Sequence, residues 1–337
     1  MKKYHVKKIL PVIATLFIIL TFFIVKSFKP KKPLIENMTE VSTLFRFNGL
    51  RNGDAKFYDD NWTVTSVAGK FTAISFDGEQ RITYDDINVR WFSVEKSDKT
   101  IVYSNQDNQV CILKLDEDMQ VIKNDLAFIT DNLPIDPAII RINGVYYITV
   151  TLIDGNVNNA DALAENGLYT IQLFSSEDLE GFTYIGDIIS DKRNLEDIVP
   201  FYVNDEFYIF YEREELDKGN SALEAVKSDD MGASWSKPFV LCNAEADNEL
   251  GSITYEDGIF TMYYSSDCLA KGTSYEGASI FVSRFDDKLN PLNIGGEIGS
   301  YDGVLLYDVC EQEDRVLFLC TEKYITQSNL VLTAHTE

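Results

Sequence analysis

Histidine is nearly missing from this chain: His5 and His335, both near the termini, are the only two. Imidazole-based triads and histidine metal sites therefore lack their usual participants. Cysteine is sparse as well. Cys111, Cys242, Cys268, Cys310 and Cys320 are odd in number and widely scattered, with no C-x-x-C pair, so they make neither a disulfide framework nor a zinc site. Cys111 in VCILKL and Cys320 in LFLC sit in apolar runs, where a cysteine acts as a small buried hydrophobe. Long helical patterns are lacking too. The nearest pieces, Ala160 to Glu165 and Ser221 to Val226, are too short to cover a parallel sheet, which excludes a doubly wound α/β fold.

Basic charge is scarce and unevenly placed. The 337 residues hold 30 Lys and Arg against 54 Asp and Glu, a net charge of −24. The first 33 residues carry eight lysines and no acid, so the remainder has 22 basic against 54 acidic side chains. Such a field repels phosphate backbones and anionic lipid, which excludes nucleic acid as a partner and favours neutral ligands or cations. The bland reading of the same acidity is solubility.

One long apolar run exists. Ile9 to Val25 is broken only by Pro11, Thr15 and Thr21, and at about 1.5 Å per residue it just spans a hydrocarbon core. Lysines flank both ends, and no small-residue cleavage site follows. The pattern predicts an uncleaved signal-anchor in residues 1–33, a single membrane helix that leaves the C-terminal part outside the cell. Residues 34–56 then read as a juxtamembrane linker and 57–337 as one globular domain.

Within that domain short apolar or aromatic runs alternate with Asn, Asp and Gly clusters, the punctuation of β-strands. One unit recurs: an acid, a short apolar strand, a turn, then an aromatic strand. Asp136-Pro-Ala-Ile-Ile precedes VYYITVT, Asp197-Ile-Val-Pro-Phe precedes EFYIFYE, and Glu249-Leu-Gly-Ser-Ile precedes IFTMYYS. Looser copies are VRWFSVE with TIVYSN, and GVLLYDVC with RVLFLC. Five such units fill residues 77–337, and NWTVTSV with KFTAISF is left to close the ring. The expectation is an all-β, five-bladed β-propeller. The first strand of each blade lines the central channel of such a fold, so Asp136, Asp197 and Glu249 are expected to converge there. The alternative for each acid taken singly is a solvated turn cap.

Ser228-Asp-Asp230-Met-Gly232-Ala-Ser234-Trp235 fits the Asp-box turn S-x-D-x-G-x-[ST]-W, in which glycine supplies positive φ and Asp and Ser bond the turn backbone. Ser175-Ser-Glu-Asp178-Leu, with Phe182 and Gly186, is a degenerate counterpart. Asp154-Gly-Asn156-Val-Asn158-Asn-Ala-Asp161 spaces oxygen side chains as a calcium loop would, yet lacks an EF-hand's terminal Glu, so the expectation is no metal there and a solvated loop.

Taken together, the repeated unit resembles the five-bladed propeller glycosidases of the arabinanase and β-xylosidase type, and equally the β-mannoside phosphorylases; the Asp box is similar to that of sialidases. Asp136-Pro137 followed by YYITVT resembles the glycosidases' D-P and Y-Y-L stretches, and Glu249-Leu-Gly their E-G-P motif. For the phosphorylases the matching stretches are Asp136-Pro137-Ala138-Ile139, Ser175 to Gly186, and Asp191-Lys-Arg-Asn194. Ala138 stands where the phosphorylases place an arginine, which favours hydrolysis over phosphorolysis. Sialidases need a clustered arginine triad, whereas here only Arg90 and Arg141 fall on early blade strands. The resemblance implies a glycoside hydrolase in which Glu249 is the general acid, Asp136 the base and Asp197 the carboxylate that tunes the acid; the acidic field makes a neutral glycan the expected substrate, and no cofactor is expected. Asp86 is the second candidate for the base, because the stretch where the glycosidases carry theirs reads Arg90-Trp91 here. Arg90, Trp91 and Tyr301 are the candidate sugar contacts. The other reading is a catalytically silent propeller that binds glycan or protein.

Overall fold

The computed structural model describes residues 35–48, 54–67, 69–154, 167–215, 219–269, 277–300, 304–323 and 328–337. A short 3-10 turn, Ile35–Asn37, leads into β1 (Glu40–Phe47). Blade one then comprises β2 (Ala55–Phe57), β3 (Trp62–Val67), β4 (Lys70–Ser75) and β5 (Arg81–Asn88). Blade two has β6 (Trp91–Glu95), β7 (Thr100–Ser104), β8 (Gln109–Leu115) and β9 (Val121–Ile129), and blade three β10 (Pro134–Ile142), β11 (Val145–Asp154), β12 (Leu168–Ser176) and β13 (Thr183–Asp191). Blade four runs through β14 (Asn194–Val203), β15 (Glu206–Glu214), β16 (Ser221–Ser228) and β17 (Phe239–Cys242). Blade five has β18 (Asn248–Glu256), β19 (Ile259–Ser266), β20 (Ser279–Asp286) and β21 (Pro291–Ser300), and blade six β22 (Leu305–Glu311), β23 (Arg315–Glu322) and β24 (Asn329–Thr336). Each of the first five is an antiparallel four-stranded meander. The sixth borrows its fourth strand from the start of the chain, in the order β22, β23, β24, β1.

The fold is therefore an all-β propeller of six blades, one more than the repeat count predicted. NWTVTSV and KFTAISF do not merely fill a gap: flanked by β2 and β5, they build a complete blade. The ring is closed instead by β1, which pairs antiparallel with β24 from Glu40 opposite Thr336 to Phe47 opposite Leu330. Residues 40–47, expected within a linker, are thus part of the propeller. Their sequence, EVSTLFRF, is exposed over its first four residues and anchors through its second half, where Phe45 is buried and Leu44 and Phe47 are partly so.

Packing follows the same six-fold count. The buried hydrophobic side chains form six clusters, and each lies between two neighbouring blades. One joins Tyr58, Phe71 and Phe92 across blades one and two; another joins Phe45, Phe57 and Leu319 across blades six and one. Every sheet is sandwiched by its neighbours, so its middle strands are buried on both faces and read as continuous apolar runs. All five residues of β7 are buried, as are seven of the eight in β16, with Lys227 alone partly open. The outermost strands face water on one side, and β9 accordingly exposes Ile122 and Ile129.

The turn between third and fourth strands repeats one device in all five continuous blades: an aspartate whose side chain accepts backbone N–H groups of the turn. Asp77, Asp116, Asp178, Asp230 and Asp286 occupy it. The Asp box is the most elaborate version. Ser228 Oγ accepts from Gly232 N–H at 2.8 Å, and Asp230 accepts from both the backbone and the hydroxyl of Ser234. Those bonds, the Ser234 and Ser228 hydroxyls foremost, hold the Asp230 carboxyl down at about 2. Trp235 packs on Phe207 at the interface of blades three and four, so the box is structural.

Among the described residues no helix is long and apolar enough to cross a membrane. The Ile9 to Val25 run, and residues 155–161 of the Asn-rich loop, lie outside the described residues.

Candidate active site

All six inner strands run in the same direction, so their N-terminal ends ring one mouth of the channel. Asp136 is the third residue of β10, Asp197 the fourth of β14 and Glu249 the second of β18. The first two occupy matching β-bulges: register slips between Ile135 and Ala138 against β11, and between Glu196 and Val199 against β15. Both aspartates take left-handed backbone conformations, φ 44° and 52°. Aspartate tolerates this conformation better than most residues, at a cost of order 1–3 kcal/mol. A bulge re-aims a side chain that strand alternation would otherwise turn away. Glu249 stands one position earlier. It pairs with Ser265 ahead of a slip at Gly251, matching the register of Glu196 opposite Glu212. Gly251 is required there, because a Cβ would lie 2.9 Å from the Leu306 carbonyl oxygen on the next inner strand.

The three predicted acids come together. The backbone N–H of Asp197 donates to Asp136 Oδ2 at 3.0 Å. Asp197 and Glu249 bring carboxylate oxygens within 4.8 Å of each other and of Glu212, on β15. Burial, and then the neighbouring Asp197, push the Asp136 carboxyl up to about 8, with Asp54 adding to the effect and Lys56 opposing it. Burial also raises Asp197 and Glu212 well above the usual carboxylate range, with Glu249 the strongest neighbour in each case. Glu196 is raised likewise by burial and by Glu214.

Asp54, Lys56, Glu196 and Glu212 belong to this mouth and were not singled out from sequence. Lys56 is the one cation among the described residues lining the small cavity beside Asp136 and Asp197. Burial disfavours its charge, but Asp54, Asp308, Asp197 and Asp136 outweigh burial and raise it. Its Nζ donates to the Tyr307 carbonyl at 2.8 Å and lies 3.5 Å from Asp54 Oδ1. The cavity, about 30 Å³, admits little more than a water molecule.

The remaining candidates lie elsewhere. Asp86 is exposed on β5, the outermost strand of blade one and three strands from the channel, so the structure does not bring it to the acids. Trp91, on the inner strand of blade two and only partly buried, packs against the core between blades three and four, with the Arg90 guanidinium 4.3 Å above its ring. Tyr301 lies outside the described residues. Arg193 and Arg213 are engaged by Asp191, Glu215 and Glu224. No arginine lines the cavity among the described residues.

No family model matches the chain, and no curated protein does. Solved structures are similar to it in fold. A Trypanosoma rangeli sialidase in complex with 2,3-difluorosialic acid is 12% identical, with a TM-score of 0.55, over 85% of this chain and 54% of its own. A β-1,2-mannobiose phosphorylase from Listeria innocua is 12% identical over 86% of this chain and 90% of its own, with a TM-score of 0.47. A xylan β-1,4-xylosidase from Bacillus halodurans is 11% identical over 86% and 53%, with a TM-score of 0.46. The chain thus spans about half the length of the sialidase and of the xylosidase. The likeness to the sialidase is one of fold alone.

Proposed function

We propose that the protein is a propeller glycoside hydrolase acting on a neutral glycan, displayed on the cell surface by its N-terminal apolar run. The observation that carries this reading is the convergence of Asp136, Asp197 and Glu249, from three successive inner strands, on one channel mouth. Glycoside cleavage needs a proton donor at the leaving oxygen and a carboxylate that activates water or attacks the sugar. Asp136, which burial and Asp197 keep protonated near neutral pH, suits the donor's part. Glu249 is then the working carboxylate and Asp197 the group between them. This exchanges the roles that the resemblance gave Asp136 and Glu249. The cavity beside Asp136 and Asp197 is small, about 30 Å³, and Glu249 is not in its lining, so the proposed site for the glycan is the mouth above it. The acidic field outside disfavours anionic sugars.

The test is turnover of a panel of neutral aryl glycosides by the wild type, Asp136→Asn and Glu249→Gln, with thermal midpoints measured alongside. The expected result is cleavage of at least one glycoside, a loss on the order of 100-fold or more in kcat for either variant, and midpoints that stay or rise because a functional cluster gives up stability for chemistry. A wild type that cleaves no glycoside, with both variants destabilised, would establish the second reading, a silent glycan-binding propeller.

A further inference from the structure

The carboxylates of Asp197, Glu212 and Glu249 come from β14, β15 and β18, and one oxygen of each lies within 4.8 Å of the other two. Glu212 is only 1% exposed, yet its Oε2 accepts no hydrogen bond, and neither does Asp197 Oδ2. Buried carboxylate oxygens are normally satisfied by donors or by a cation. Strand pairing brings further carboxyls to the place: Glu212 pairs with Glu196 on β14, and Glu214 follows two residues on, on the same face of β15. Lys56, in the cavity beside Asp197, has its Nζ engaged by Asp54 and the Tyr307 carbonyl.

We propose that Asp197, Glu212 and Glu249 form a calcium site at the mouth of the channel. The donors are all carboxylate oxygens with no histidine or cysteine among them, the set of a hard cation and not of zinc or copper. Coordination habit separates calcium from magnesium: calcium accepts an irregular set of protein carboxylates, whereas magnesium keeps several waters and holds to a strict octahedron. Three carboxylates converging from separate strands, one of them buried, suit the first. The other carboxyls at the mouth add to the attraction, and the ion in turn keeps Glu249 ionised, the state its part in hydrolysis requires. The inference does not rest on the hydrolase reading, since the site stands whether or not a glycan is cleaved.

The experiment is calcium titration of the full chain after chelator treatment, followed by calorimetry and by thermal midpoint, with magnesium as the parallel arm and no glycoside present. The expected result is one calcium per chain, a midpoint that rises with calcium and far less with magnesium, and at least 10-fold weaker binding in Glu212→Gln. Asp197→Asn is the second variant should the first fail to fold. Asp161→Asn, in the Asn-rich loop, is expected to bind as the wild type does. Absence of a calcium response, binding that survives both site variants, or binding lost in Asp161→Asn would each overturn the proposal. A wild type that ignores calcium while Glu212→Gln is more stable would assign the unpaired oxygens to a proton shared within the trio. Aryl glycoside turnover is a separate readout, so failure of the calcium site and failure of the hydrolase are told apart.

Discussion

At the scale of the residue, the Asp box and the channel acids make opposite use of backbone strain. Gly232 has φ 93°, and a Cβ there would meet Leu173 Cδ2 at 2.4 Å and the Trp235 ring at 3.4 Å. Gly232→Val is therefore expected to lower the thermal midpoint, by at least about 1–3 kcal/mol for the backbone alone, because it also forces Leu173 out of the interface of blades three and four. An unchanged midpoint would show that the turn tolerates a side chain. Asp136 and Asp197 adopt positive φ without being glycine, which directs their carboxyls into the channel. Sequence alone marks such residues poorly. Asp136 and Asp197 were legible because they recur at one place in the repeat, ten residues ahead of the next strand's first aromatic. Glu212 was not. It lies near the end of a second strand, and a rule that assigns the channel to first strands passes over it, although IFYEREE places Glu212 and Glu214 at strand spacing, on one face.

At the scale of the element, the six blades differ mainly in how they end. Five meanders close locally through aspartate turns, while the sixth depends on β1, separated from its partner β24 by nearly the whole chain. A chain beginning after residue 48 would leave the β24 edge unpaired and uncover Leu319, Leu330 and Leu332 beside Phe45. Such a truncation is expected to lower the thermal midpoint and promote aggregation in size-exclusion chromatography, whereas removal of residues 1–34 leaves β1 in place and the midpoint unchanged. Phe45→Ala, which keeps the strand and removes its buried side chain, is expected to cost about 3–5 kcal/mol in denaturant unfolding. An intact midpoint in the truncated chain would mean that the ring holds without this closure.

At the scale of the whole molecule, ring closure also carries a pH dependence. His335 lies on β24 between β1 and β23, edge-on to Phe318 at 4.7 Å, and burial lowers its pKa to about 4. The unfolded chain takes up a proton near pH 6.5 that the folded one refuses until about pH 4. Stability from this group is therefore complete above pH 6.5 and falls as pH drops towards 4, by on the order of 2–3 kcal/mol. The buried channel carboxyls, raised in the fold, act in the opposite sense, so a difference measurement is needed. Wild type minus His335→Phe, followed by denaturant unfolding from pH 7 to 4.5, is expected to lose stability with falling pH; a flat difference would place the imidazole in water.

The sequence by itself determined the all-β class, the propeller, the Asp-box turn and three of the acids, since these depend on local periodicity and on spacing within a repeat. It also carries the acidity and the apolar run that set the expected surroundings. Only the tertiary structure decided the number of blades, because a ring is closed by the pairing of β1 with β24, a contact between chain ends that no repeat length encodes. It likewise decided which side chains share the channel mouth. Lys56, Glu196 and Glu212 meet Asp136, Asp197 and Glu249 through the convergence of separate blades, and Asp86 is kept away by three intervening strand positions of its own sheet. Strand spacing fixes which face a residue takes; the radial packing of blades fixes what it meets there.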